Sequence, residues 1–98
     1  MKKFIYIITD KDHHNLHMGL CADLVKTIEF YEQMPTLFFD ASQMLNKLVY
    51  FEEIDGEDVA FEKYKSMSTF TRSRKEELIA SINPNMVDIR KRLTHQQK

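Results

Sequence analysis

Cysteine, glycine and proline are scarce in this 98-residue chain, with one cysteine, two glycines and two prolines. A single thiol, Cys21, cannot close an internal disulfide, which fits a reducing compartment. Two glycines leave no glycine-rich loop to cradle a phosphate, and the low glycine and proline content excludes collagen-like and linker-like chains. No apolar run approaches the ~18–20 residues that a membrane helix needs. Residues 1–10 are basic and then apolar. Their apolar run is too short for a secretory h-region, and no small-residue cleavage site follows. The chain therefore reads as one small cytoplasmic domain with no membrane partner.

What is present is enough for a packed core. Hydrophobic residues make up 43% of the chain and aromatics 11%, which argues against disorder. A chain of this size buries only about 60–65% of its unfolded surface, so the core must be thin. The net charge of −1 hides an asymmetry. Residues 1–62 hold five Lys/Arg against twelve Asp/Glu, a net of −7, whereas residues 63–98 hold nine against three, a net of +6. A basic C-terminal third is either the footprint of a polyanionic partner or the solvated outer faces of helices.

Residues 3–9, rich in isoleucine and aromatics and bounded by Asp10-Lys11-Asp12, read as a buried strand. Residues 15–20 read as a second strand, joined to the first by the polar stretch 10–14. Asp23 can cap a helix carrying Leu24, Ile28 and Tyr31 or Glu32 at helical spacing, and Met34-Pro35 ends it. Residues 36–45 are ambiguous between strand, buried loop and helix. Residues 46–54 form a third strand, and Asp55-Gly56 turns the chain. A helix over 57–70 follows, with Ala60, Phe61, Tyr64 and Met67 at core spacing. Thr71 caps a last helix reaching Ile82, with Leu78, Ile79 and Ile82 inward, and Asn83-Pro84-Asn85 stops it. Met86, Val87 and Ile89 are expected to tuck against the core. The order β-β-α-β-α-α predicts an α/β (α+β) domain over residues 1–89, a small three-stranded antiparallel sheet flanked by helices, with a basic frayed tail over 90–98.

Taken in order, several segments are similar to the GIY-YIG nuclease superfamily. Phe4-Ile5-Tyr6 and His17-Met18-Gly19 resemble its paired strand motifs, and residues 22–28 (ADLVKTI) its first helix. Residues 47–53 (KLVYFEE) resemble the third strand of its small single-domain members. Phe70-Thr71-Arg72, Leu78-Ile79, Asn83-Pro84 and Asp88 match their C-terminal pattern. The match spans residues 3–89 and is similar to the N-terminal nuclease domain of the DNA-repair excinuclease. The resemblance implies metal-assisted hydrolysis of a DNA phosphodiester, which needs a water nucleophile, a base, a divalent cation and positive charge on the phosphate. In the family these come from two motif tyrosines, a helix arginine, a nearby histidine or tyrosine, and a metal-binding glutamate.

Carried over residue by residue, the catalytic positions are Tyr6, His17 and Tyr31, with Thr27 and Tyr64 replacing the usual arginine and glutamate. Tyr6 keeps the first motif's phenol and is equally readable as an aromatic packing residue. His17 stands in place of the second motif's tyrosine. It is either a reassigned general base or drift at a site without catalytic demand. Thr27 can supply neither charge nor a bidentate fork to a phosphate. Tyr31 fits the excision-repair branch and also a helix core. Tyr64 is a poor ligand for Mg²⁺, and Glu62 lies roughly 200° around the helix from it.

Other clusters read as structure. His13, His14 and His17, with Asp10 and Asp12, form a polar turn without metal-ligand spacing, although His13 and His17 could meet across the hairpin. Lys63, Lys65, Arg72, Arg74 and Lys75, near Tyr64 and Phe70, form a modest basic surface for DNA or RNA, interrupted by Glu76 and Glu77. The expectation is a GIY-YIG-fold, endonuclease-like protein with its catalytic set largely replaced, acting as a nucleic-acid-binding or accessory protein. No metal site and no cofactor are expected. Mg²⁺ or Mn²⁺ belongs to the alternative, a structure-selective DNA endonuclease with His17 as base. A third reading is a protein-interaction module, self-associating through Leu37-Phe38-Phe39. Its partner protein is not specified.

Overall fold

Isoleucine and aromatic side chains suit a pleated surface, and the longest run of them forms the central strand β1 (Lys2–Thr9). The computed structural model describes residues 2–10, 12–33 and 47–90. The Leu37-Phe38-Phe39 segment and residues 91–98 of the expected tail therefore lie outside the described residues. β2 (Leu16–Cys21) and β3 (Lys47–Asp55) flank β1 in one sheet of order β2-β1-β3. Both pairings are antiparallel. Among the described residues, helices α1 (Leu24–Gln33), α2 (Glu57–Met67) and α3 (Arg72–Ala80) give the order β-β-α-β-α-α.

Both faces of β1 are covered, which explains why its hydrophobicity runs continuously instead of alternating. Tyr6 and Ile8 point to one face, where they pack with Leu24 and Ile28 of α1, Leu48 of β3 and Ile89. Ile5 and Ile7 point to the other, packing with Met18, Val49, Tyr50, Met67 of α2 and Ile79 of α3. Ile5, Ile7, Leu48 and Ile79 are fully buried. Each such side chain contributes about 1.5–3 kcal/mol relative to exposure.

A β-bulge shapes the third strand. Ile7 pairs with Tyr50 and Ile8 with Leu48, so Val49 has no partner in the β1 register. The chain after α3 satisfies the backbone there. Asn83 Nδ2 donates to Val49 O at 3.1 Å and to Val87 O at 2.8 Å, while its Oδ1 accepts from Val87 N. Ile89 N donates to Leu48 O at 2.8 Å. The C-terminal segment thus closes the sheet as well as the core.

Element ends follow capping chemistry. Asp23 Oδ1 accepts from Lys26 N, and Thr71 Oγ1 accepts from Arg74 N. Gly56 turns β3 into α2 at φ 106, a left-handed conformation that favours glycine. Helix α2 ends at Met67, short of the expected Phe70, because Ser68 and Thr69 hydroxyls donate to the Lys65 and Ser66 carbonyls. Phe61 is 50% exposed, contrary to its expected core role. The inward stripe of α2 is Ala60, Tyr64 and Met67, and Phe61 lies about 100° around from Ala60. Ile82, 43% exposed, also differs from expectation. Helix α3 stops at Ala80, and the following turn sends Asn83 inward in its place. Val87 is exposed for the same reason: Asn83 grips its backbone while Ile89 takes the core position.

Candidate functional site

The hairpin register assembles the site. Tyr6 pairs with Gly19 and Ile8 with His17, which puts Tyr6, His17 and Gly19 on the α1 face of the sheet. A Cβ built at Gly19 would fall on Tyr6 Cζ and Oη, so the missing side chain is what lets the phenol lie across β2. Leu24 and Ile28 seat α1 on the sheet, and Tyr31, one turn beyond Ile28, is carried to the β2 edge.

Three of the expected positions meet there. Tyr31 Oη lies 3.0 Å from His17 Nε2, with ring centroids 5.7 Å apart. Tyr6 and His17 have centroids 6.5 Å apart, and Tyr6 is hydrogen-bonded to Tyr31. Burial raises the Tyr6 phenol above the tyrosine range, and the bond to Tyr31 raises it further, so Tyr6 stays protonated. A chain in which Tyr6 donates to Tyr31 and Tyr31 donates to His17 Nε2 satisfies all three groups and leaves the imidazole proton on Nδ1. Burial lowers the His17 pKa below 6.5, and the positive charge of Lys75 lowers it further. His17 is thereby held neutral at pH 7.

Thr27 lies one turn before Tyr31, and its hydroxyl donates to Asp23 O at 2.8 Å. It also contacts the Cys21 thiol, which burial pushes up. Tyr64 packs on the opposite core yet stands near enough to Tyr6 to act on it electrostatically. Among the described residues no three His, Cys, Asp or Glu side chains converge to hold a cation. His13 does not meet His17. Its Nε2 lies 3.1 Å from Lys47 Nζ, which donates to it.

The basic residues have divided employment. Lys63 pairs with Glu52, which also accepts from Tyr50 Oη at 2.9 Å. Burial and that bond raise the Tyr50 phenol above its ordinary range. Lys65 pairs with Glu62 and lies over the Phe61 ring. Arg72 pairs with Glu76 and donates to the His13 and His14 carbonyls, clamping α3 to the β1–β2 connection. Arg74 stacks on Phe70 at 4.7 Å. Lys75 is half-buried, and its charge acts on His17.

Two structural residues carry little signal in the sequence. Asp10 is 1% exposed, and its carboxylate accepts from His14 N and Asn15 Nδ2. Nothing in the sequence separates it from the exposed Asp12. Asn83 reads as a helix stop, but only the bulge opposite Ile7 and Ile8 explains its burial.

No family model and no curated protein matches this chain. Among solved structures, its fold matches the solution NMR structure of the UPF0213 protein BH0048 from Bacillus halodurans, with a TM-score of 0.58. The match covers 93% of this chain and 96% of that one at 18% identity, a level that speaks to fold alone.

Proposed function

We propose that this chain is a GIY-YIG-fold protein that binds nucleic acid without hydrolysing it. The observation that carries this reading is at Thr27. Where the resemblance puts a phosphate-clamping arginine, a neutral hydroxyl is already donated to Asp23 O. Losing one such electrostatic stabiliser costs about 10²–10³ in rate. The metal position fares no better, since Tyr64 offers a phenol where Mg²⁺ or Mn²⁺ prefers carboxylate oxygen. The residues present do not fit that group. Glu52, on β3, is engaged by Lys63 and Tyr50.

Binding would draw on the basic face of α2 and α3, with exposed Lys65 and Arg74 presented beside aromatic rings. Affinity for DNA or RNA should fall with salt between about 50 and 200 mM, with a log–log slope near −0.9 per neutralised phosphate. Replacing Lys65 and Arg74 together by glutamine should flatten the slope by about two units. Absence of binding at low salt, or an unchanged slope, would count against the reading. A second reading, hydrolysis with His17 as base, is favoured by one observation, the neutral imidazole held by Tyr31. A base without a phosphate clamp and a metal carboxylate recovers little rate.

A further inference from the structure

We infer that a cavity at the end of the β2 edge is a binding site for a small organic cation, a primary ammonium carried on an apolar stem. The cavity, of about 320 Å³, is lined by Lys3 of β1, Leu20 and Cys21 of β2, and Glu57, Asp58 and Phe61 of α2. That volume lies at the lower end of the ~300–1,000 Å³ typical of ligand sites. Leu20 packs toward the α2-side core and Cys21 toward the α1-side core, so the cavity wraps the edge of the strand. Tyr6, His17, Thr27 and Tyr31 do not line it, and it shares only Phe61 with the surface proposed for nucleic acid.

The turn at Gly56 leads β3 directly into α2, which brings Glu57 and Asp58 to the cavity on the first turn of the helix. Ala60 is fully buried and seats α2 on the sheet. Phe61, about 100° around from it, walls the cavity, which accounts for a large apolar ring left 50% exposed. Leu20, Cys21 and Phe61 give the cavity its apolar surface. Burial pushes the Cys21 thiol up, so it adds no charge. The sign is set at the rim. The Lys3 side chain is 19% exposed, and its ammonium pairs with Glu57 at 3.8 Å. Among the described residues Asp58 is in no ion pair. One lysine against two carboxylates leaves the lining at −1. The Phe61 ring already attracts one ammonium, Lys65 Nζ at 5.4 Å from its centroid. A ligand ammonium therefore has Asp58 and an aromatic ring to meet, and its stem has Leu20 and Cys21 to cover. An anion would meet the unpaired Asp58 instead. The ammonium comes either from a free alkylamine or from a lysyl side chain.

The test is an NMR titration of the full chain with n-butylammonium chloride, against sodium chloride at matched ionic strength. The amide signals of Leu20, Cys21 and Phe61 should shift to saturation, whereas uncharged n-butanol and anionic butyrate should leave them nearly unmoved. Asp58→Asn, at an exposed position, should weaken the ammonium about tenfold. Lys3→Gln should act in the opposite direction and tighten binding, because it removes the competing ammonium and releases Glu57. Cys21 is the chain's one thiol, so slower alkylation by iodoacetamide at saturating n-butylammonium reads the same occupancy independently. Tighter binding of Nα-acetyl-lysine amide than of n-butylammonium assigns the site to lysyl side chains, and the reverse order assigns it to free amines. Equal shifts with n-butanol or butyrate, an identical response in Asp58→Asn, weaker binding in Lys3→Gln, or an unchanged alkylation rate overturns the site.

Discussion

Tyr6 fills the space that a side chain at position 19 would need, so the two positions are coupled across the hairpin. Gly19→Ala must move a buried phenol that is hydrogen-bonded to Tyr31. It should cost about 1–3 kcal/mol in urea unfolding, with the Tyr31–His17 contact disturbed as well. Two ionisable residues predict the acid response. The Asp10 carboxyl is pushed up by burial but is held below 3.8 overall by its bonds from His14 and Asn15 and by the charge of His14. Its stabilisation is present above the unfolded value and lost as pH falls through 3.8 toward the folded value. His17, lowered below 6.5, acts in the same direction, because the unfolded chain takes its proton first. Stability should therefore drop as pH falls through 6.5 and again near 3.8. Asp10→Asn should flatten the lower step and His17→Gln the upper one, both read from urea midpoints.

At the scale of elements, the strands and helix starts are readable in the sequence because their causes are local. Ile5, Ile7 and Ile8 mark β1, Asp23 and Thr71 cap their helices, and Gly56 supplies the turn. Helix ends and inward faces are less readable, since they depend on what packs against them. Phe61 and Ile82 have core chemistry but point outward, because Tyr64 and Asn83 occupy the inward directions. The meeting of Tyr6, His17 and Tyr31 follows from motif order. The partition of the basic residues does not, because Arg72 reaches carbonyls 58 and 59 residues away. That clamp carries an element-scale prediction. Arg72→Ala should cost about 1 kcal/mol and release the β1–β2 connection from α3. Hydrogen exchange at His13 and His14 should quicken, while exchange within β1 keeps its protection.

For the molecule as a whole, the sheet is a partition between two cores, and the candidate site lies on its α1 face, where Tyr6, His17 and Tyr31 meet. The α1 layer brings Tyr31 to His17, whereas Tyr64 packs with the opposite core. This architecture agrees with the shared fold of the UPF0213 protein. The residues at the site, not the fold, decide the chemistry. On the proposed reading, Thr27 and Tyr64 stand at the positions where the resemblance puts a phosphate clamp and a metal carboxylate. Each loss costs about 10²–10³, and the losses need not add. The most direct test is a cleavage assay on branched and nicked DNA with Mg²⁺ or Mn²⁺, using the same purified protein whose salt-dependent binding is recorded. The account predicts binding without specific cleavage. Thr27→Arg alone should leave cleavage absent, and Thr27→Arg combined with Tyr64→Glu is the smallest change expected to restore it. Robust metal-dependent cleavage by the unaltered chain, abolished by His17→Ala, would contradict it.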